Sequence, residues 1–201
     1  MEENMERINA VTFAPFCARG TFEKEETRQS LKLMKEKTGA NYVIFAPNGM
    51  QKTAFSEEID YRTDRNVTDE ELIAMIGYAK ELGLNVALKP TANCADGTWR
   101  AHINFFDEDV VCEPKWGNWF ASYRAFQEHY AGLAQQCGVD LFIAGCEMVQ
   151  TERREAEWRE VIAAIRRKYD GPVSYNTDKY QEHNVKLSLI HISEPTRQAE
   201  I

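Results

Sequence analysis

The chain has 201 residues, a formal net charge of −8 and a hydrophobic content of 43%. This is enough apolar material for one globular core. The acidic balance argues against nucleic acid or an anionic membrane as the main partner. The sequence has no apolar run long enough to cross a bilayer, and its acidic N-terminus lacks the apolar stretch of a signal peptide. A cytoplasmic protein is therefore expected.

The cysteines and histidines carry no recognisable metal or disulfide framework. Five cysteines occur without a CxxC pair, which fits reduced thiols better than disulfides or a zinc site. His102, His129 and His183 lack metal-ligand spacing, and neither an HExxH motif nor a GxSxG motif is present. We therefore expect no metal, no cofactor and no serine nucleophile.

Short apolar runs alternate with amphipathic segments along the chain. Thr68 and Glu71 form a capping box, in which a hydroxyl and a carboxylate satisfy free amides at a helix start. Later, Trp158 falls within a helical apolar stripe and is assigned to the core. The predicted strands are residues 8–15, 42–45, 86–88, 139–147 and 173–176, and the predicted helices are 27–37, 68–82, 118–137 and one that contains residues 158–165.

The order of these elements predicts an α/β fold. Glycines at 39, 83, 138 and 171 each separate a helix from the strand that follows, as in βαβ units with a parallel sheet. A doubly wound sheet is the competing architecture, but nucleotide binders of that type carry a glycine-rich loop after the first strand. Here that loop, residues 16–20, has a single glycine. Long loops at 47–67 and 91–116 favour an incomplete (β/α)8 TIM barrel of about five β/α units.

The last fifteen residues have a different character from the rest of the chain. Residues 187–197, LSLIHISEPTR, look like the in-frame translation of the transposase adapter used to prepare sequencing libraries. We therefore interpret 187–201 as an adapter-derived tail and exclude it from fold reasoning. The alternative is a genuine C-terminal segment. On the adapter interpretation, residues 1–186 are the N-terminal part of a catalytic barrel domain, and the natural gene continues beyond Lys186.

One apolar strand pattern, residues 139–146, ends abruptly in a carboxylate, Glu147. Active sites of α/β barrels are built at the C-terminal ends of the strands, so Glu147 is a candidate catalytic acid. An ordinary solvent-facing glutamate fits the strand ending equally well. Four further candidates lie at the C-terminal ends of predicted strands or in the loops just after them: Lys89, Asn93, Tyr175 and Asn176. In a barrel, all of these residues would converge on one face.

The predicted loop after residue 91 is rich in aromatic rings. It contains Trp99, Phe105 and Phe106, followed by Trp116 and Trp119. Flat aromatic faces in a polar loop suit sugar rings, although packing is the preferred explanation for any single tryptophan. Lys89 offers a different chemistry, because a strand-end lysine can form a Schiff base if its environment favours the neutral amine. A rim lysine paired with an acid is the simpler alternative.

Several of these motifs together resemble glycoside hydrolase family 113, which comprises TIM-barrel β-mannanases of the large retaining clan. The resemblance runs from the first strand to about Val185 and rests most strongly on FIAGCE, which ends in Glu147, and on the EWR that follows. The remaining matching motifs are VALKP, Trp99 and the pair Tyr175-Asn176.

The resemblance implies a fragment of a retaining endo-type β-1,4-glycoside hydrolase acting on β-mannan or manno-oligosaccharides, without a cofactor. Glu147 is then the general acid/base, and the nucleophile, a glutamate at the end of strand seven, is missing from this chain. Lys89, Asn93, Trp99, Tyr175 and Asn176 would bind the oligo- or polysaccharide substrate. One departure is Cys146, which stands where most of the clan has asparagine. A Schiff-base lyase or aldolase that uses Lys89 and a non-catalytic sugar-binding barrel are the two alternatives.

Overall fold

A computed structural model describes residues 7–178, except 107, 112 and 114. Cys112, His183 and the predicted tail at 187–201 lie outside the described residues. The described strands are β1 (Ala10–Phe13), β2 (Tyr42–Phe45), β3 (Asn48–Gln51), β4 (Asn85–Leu88), β5 (Thr91–Cys94), β6 (Leu141–Cys146) and β7 (Val173–Asn176). The helices are α1 (Glu25–Thr38), α2 (Asp69–Glu81), α3 (Lys115–Cys137) and α4 (Glu155–Arg166), with a single 3-10 turn at Arg100–His102.

The main sheet has five parallel strands in the order β1-β2-β4-β6-β7. Each strand therefore lies beside the one that precedes it in this sheet. A doubly wound sheet reverses its strand order at a switch point, whereas a barrel adds each strand to the same edge. The strand order thus confirms the α/β fold with barrel-type winding.

A second, two-stranded parallel sheet pairs β3 with β5, with Asn48 opposite Thr91 and Gln51 opposite Cys94. Both strands fall in segments that the sequence assigned to loops. Their sequences, NGMQ and TANC, have no apolar alternation and are four residues long. Their structure therefore depends on pairing with each other rather than on a local sequence pattern.

The predicted capping box is confirmed at the start of α2. The Glu71 amide donates to Thr68 Oγ1 at 3.2 Å, and the Thr68 amide donates to Glu71 Oε1 at 3.3 Å. The same carboxylate accepts the Gly20 amide at 2.9 and 3.0 Å and the Phe22 amide at 3.2 Å. Glu71 is only 4% exposed. The Glu71 carboxylate therefore connects the loop after β1 to the N-terminus of α2 through these hydrogen bonds.

The long helix α3 begins at Lys115, three residues before its predicted start. Trp116 consequently lies on α3 together with Trp119, and both side chains are fully buried in the core and do not line a sugar-binding loop. Trp158 on α4 is likewise fully buried, as predicted. Of the predicted aromatic loop, Trp99 is the tryptophan that remains exposed, at 45%.

No helix in the described ranges is both long and apolar enough to pass through a membrane.

Candidate active site

The candidate site lies where β6 and β7 end. Glu147 follows β6 directly and has a left-handed backbone with φ of 53°. Its amide donates to the Asn176 carbonyl at 2.8 Å, which joins the two strand ends. The Glu147 side chain is 33% exposed, so its carboxylate reaches solvent at the C-terminal edge of the sheet. This edge is where a barrel carries its functional groups.

Two neighbouring residues of the loop after β5 hold one oxygen of the Glu147 carboxylate. Trp99 Nε1 donates to Oε2 at 3.2 Å, and an Arg100 guanidinium nitrogen donates to the same oxygen at 2.9 Å. Arg100 is 12% exposed and also donates to Asn93 Oδ1 at 2.9 Å and to the Ala92 carbonyl at 3.2 Å. The other oxygen, Oε1, has no hydrogen bond to a side chain of the described residues.

Asn93 is fixed by the small sheet. Its Nδ2 donates to Asn48 Oδ1 at 3.0 Å across the β3–β5 pair, while its Oδ1 accepts from Arg100. The small sheet therefore supports Arg100, and Arg100 supports Glu147. Because each member has defined partners, the geometry of the carboxylate depends on residues from β3, β5 and the 3-10 turn.

Lys89 directly follows β4 and Cys146 ends β6, so both lie at the same edge of the sheet. Burial raises the pKa of the Cys146 thiol, whereas the charges of Lys89 and Arg100 act to lower it. The Lys89 ammonium is thus close enough to Cys146 to influence it electrostatically. Cys146 itself is 6% exposed, so its thiol is a poor candidate for direct contact with a large ligand.

Tyr175 and Asn176 share a strand but face different surroundings. The Tyr175 hydroxyl donates to Glu152 Oε1 at 2.6 Å and accepts the Met148 amide at 3.2 Å, so it is engaged within the protein. Asn176 Nδ2 donates to the Thr177 carbonyl at 3.0 Å, and the side chain is half-buried at the strand end. Asn176 therefore lies at the edge of the site, and the Tyr175 hydroxyl lies beneath it.

The structure brings the predicted residues Lys89, Asn93, Trp99 and Glu147 to one edge, with Asn176 beside them. Sequence reasoning missed Arg100 and Glu152. Arg100 could have been noticed as the cation next to Trp99 in a functional loop, whereas no sequence signal marks Glu152. Across the described part of the chain, no group of three or more His, Cys, Asp or Glu residues could hold a metal ion.

The fold and site together define the class of β/α-barrel proteins that carry a carboxylate at the C-terminal edge of the sheet. The sequence profile of Glycoside Hydrolase Family 113 matches residues 11–191. The chain belongs to this family.

Solved structures agree with this assignment. A family 113 β-1,4-mannanase is 54% identical over 90% of this chain, with a TM-score of 0.88. The chain spans 59% of the length of that mannanase. A family 113 β-mannanase from Alicyclobacillus acidocaldarius, in complex with ManMIm, is 39% identical with a TM-score of 0.86, and the match covers 90% of this chain and 57% of that one.

A more distant structure, an exo-β-1,4-mannosidase from an Opitutaceae bacterium (strain TAV5), shares the fold at a TM-score of 0.52 and 14% identity, with 86% of this chain and 32% of that chain covered. No curated protein matches the chain.

Proposed function

We propose that residues 1–186 are the N-terminal part of the catalytic domain of a retaining endo-type β-1,4-glycoside hydrolase that acts on β-mannan or manno-oligosaccharides. Membership of family 113 and the two mannanases of similar structure support the substrate class. The observation that carries the proposal is the partly exposed Glu147 carboxylate at the C-terminal edge, whose Oε2 accepts hydrogen bonds from Arg100 and Trp99. Because the chain spans 59% of the first mannanase, the activity is proposed for the complete domain.

Glu147 is the proposed general acid/base. In a retaining mechanism two carboxyl groups lie about 5 Å apart, one as acid/base and one as nucleophile. We place the nucleophile in the continuation of the domain beyond Lys186. Glu147 first protonates the leaving-group oxygen while the second carboxylate attacks the anomeric carbon. A water molecule then attacks the anomeric carbon and displaces the second carboxylate, while the Glu147 carboxylate, which lies 2.9 Å from the Arg100 guanidinium, takes the proton from that water.

The residues around Glu147 supply the substrate contacts. Trp99 is 45% exposed although its indole nitrogen is bound to Glu147, so a ring face remains open for stacking on a sugar. Lys89, Asn93 and Asn176 are proposed to position sugar hydroxyls. Cys146, which replaces the clan's asparagine, is a weak donor, and Arg100 approaches its sulfur at 3.8 Å. The proposed partner is an oligo- or polysaccharide, and the proposed reaction uses no cofactor.

Two further parts of the proposal concern the chain as it stands. We expect the 201-residue chain to be inactive, because the proposed nucleophile lies outside it, and prone to aggregation, because the outer strands β1 and β7 of the described sheet each have one unpaired edge. A cytoplasmic location stays a prediction of the sequence.

The test uses the complete domain, obtained by reading the gene past Lys186. Release of reducing sugar is measured from mannan, xylan and β-glucan for the native domain and for Glu147→Gln. We expect hydrolysis of mannan and a loss of at least about a hundredfold in kcat for Glu147→Gln, since general acid/base catalysis contributes roughly that much or more. Glu160→Gln, a matched change at an exposed residue of α4, should leave the rate unchanged.

Hydrolysis that survives Glu147→Gln would remove this residue from the mechanism. Covalent trapping of a carbonyl substrate on Lys89 by borohydride would instead favour the lyase alternative. Binding of manno-oligosaccharides without hydrolysis by the native domain would favour a sugar-binding barrel.

A further inference from the structure

The backbone at Glu147 adopts a conformation that a glutamate rarely takes. Its φ of 53° lies in the left-handed region, which is strained for a non-glycine residue because the Cβ lies close to the following carbonyl oxygen. The β6–β7 pairing also shifts register between Ile143 and Cys146, just before this turn. Surrounding contacts must therefore hold the turn in place.

Two hydrogen bonds from amides of the turn to residues of β7 hold the turn in place. The Glu147 amide donates to the Asn176 carbonyl at 2.8 Å, and the next amide, that of Met148, donates to the Tyr175 hydroxyl at 3.2 Å. The second bond requires the Tyr175 hydroxyl to turn an oxygen lone pair, and not its proton, towards Met148. A hydroxyl has one proton, so something else must receive it.

Glu152 receives that proton. The Tyr175 hydroxyl donates to Glu152 Oε1 at 2.6 Å, so the hydroxyl can accept from the Met148 amide without competition. Glu152 is 5% exposed, and its second oxygen is buried without a hydrogen-bond partner among the described residues. Burial raises the pKa of Glu152, the bond from Tyr175 lowers it, and the negative charge of Asp178 raises it.

Burial of a carboxylate with only one of its two oxygens hydrogen-bonded destabilises the folded state, so the presence of Glu152 at this position needs an explanation. The hydrogen bonds around Glu152 provide one. From Glu152 the hydrogen bonds run through the Tyr175 hydroxyl to the Met148 amide, one residue after Glu147. Thr151 strengthens the same loop, because its hydroxyl donates to the Met148 carbonyl at 2.8 Å and its carbonyl accepts from Trp158 Nε1 at 3.0 Å.

We propose that Glu152 is a positioning residue that, through the Tyr175 hydroxyl, holds the left-handed turn that aims the Glu147 carboxylate at the substrate. Its catalytic consequence rests on the proposed function of Glu147. Tyr175 then acts from beneath the site and does not contact a sugar hydroxyl. Glu152→Gln keeps an acceptor oxygen for Tyr175, whereas Glu152→Leu fills a similar volume without one.

The experiment measures the turn and the reaction separately in the complete domain. Selective ¹⁵N-methionine labelling reports the Met148 amide, which Met148→Leu identifies, and its hydrogen exchange is followed in each variant. We expect Glu152→Leu to speed that exchange at least tenfold and to lower kcat on mannan at least tenfold, with KM within twofold. Glu152→Gln should restore both values to within threefold of the native domain.

Tyr175→Phe removes only the hydroxyl and should reproduce the effect of Glu152→Leu, which keeps the test valid if the leucine variant does not fold. Glu160→Leu is the control for the same substitution on an exposed face of α4. Exchange and kcat that stay within twofold in Tyr175→Phe would overturn the proposal, as would a lower melting temperature with an unchanged kcat. If the native domain does not hydrolyse mannan, the proposed function fails, and the exchange rates still decide the role of Glu152.

Discussion

Replacing Gly145 by alanine tests how tightly the strand that carries Glu147 is packed. A Cβ at Gly145 would lie 2.6 Å from Tyr175 Cε2, 2.8 Å from the Trp158 ring and 3.1 Å from the Tyr123 hydroxyl. The first two distances are shorter than carbon atoms tolerate, so at least two rings would have to move.

Those rings have little freedom. The Tyr123 hydroxyl donates to the Ala144 carbonyl at 2.8 Å, Trp158 donates to Thr151 at 3.0 Å, and Tyr175 is held by Glu152 at 2.6 Å. Overpacking a filled core costs about 1–3 kcal/mol, and the pinned rings favour the upper end of that range. The substitution also lowers the conformational entropy of the unfolded chain, but this stabilises the folded state by only about 0.5 kcal/mol. We therefore expect Gly145→Ala to lower the free energy of unfolding by about 2–3 kcal/mol.

Urea unfolding of the complete domain measures this change. Gly77→Ala is the matched control, since Gly77 lies in α2, is exposed, and would gain a Cβ with no atom within 4 Å. It should raise stability by about 0.5–1 kcal/mol, because alanine favours a helix over glycine. A Gly145→Ala variant as stable as the native domain would refute the packing argument.

Three other predictions concern buried polar groups. Glu71→Ala should lower the free energy of unfolding in urea by about 3 kcal/mol, because amides from Gly20, Phe22 and Thr68 lose a charged acceptor. Arg100→Met should lower kcat on mannan at least about tenfold, because the Glu147 carboxylate loses the ion pair that orients it. Glu152→Gln should gain stability relative to the native domain as pH rises above 4.5, the ordinary pKa of a glutamate.

The sign of the last prediction follows from proton binding. Burial raises the pKa of Glu152 in the folded state, so between 4.5 and that raised value the folded state binds more protons than the unfolded state. The native domain therefore loses stability as pH rises through this window, and glutamine, which does not titrate, removes the loss. The difference in urea midpoint between Glu152→Gln and the native domain is measured at several pH values. A difference that does not change with pH would contradict the prediction.

Each of the other two predictions has its own control. Glu81→Ala changes an exposed glutamate at the end of α2 and should alter stability by less than about 0.5 kcal/mol. An unchanged stability for Glu71→Ala would show that the three amides find other acceptors. For Arg100, Arg124→Met tests a surface arginine paired with Glu160 at 3.0 Å and should leave kcat unchanged. A normal kcat for Arg100→Met would contradict the orienting role.

The sequence by itself determined the features that depend on neighbouring residues. The run YVIF predicted β2 with its observed bounds, and Thr68 with Glu71 predicted the start of α2. The position of Glu147 at a strand end was also readable, since an apolar run that stops at a carboxylate needs no distant partner to be recognised. The alternation of these elements was sufficient to predict a parallel α/β fold.

Only the tertiary structure decided which distant groups meet. Strands β3 and β5 are polar and short, so each depends on hydrogen bonds to the other and leaves no periodic pattern. The sequence allowed Trp116 and Trp119 to bind a sugar or to pack in the core, and their complete burial on α3 assigns both to the core. Arg100 reaches Glu147 across 47 positions of sequence, and Glu152 reaches the same turn through Tyr175. Such contacts are fixed by how the chain is folded in space, because hydrogen bonding and charge pairing act over a few ångströms whatever the separation along the sequence.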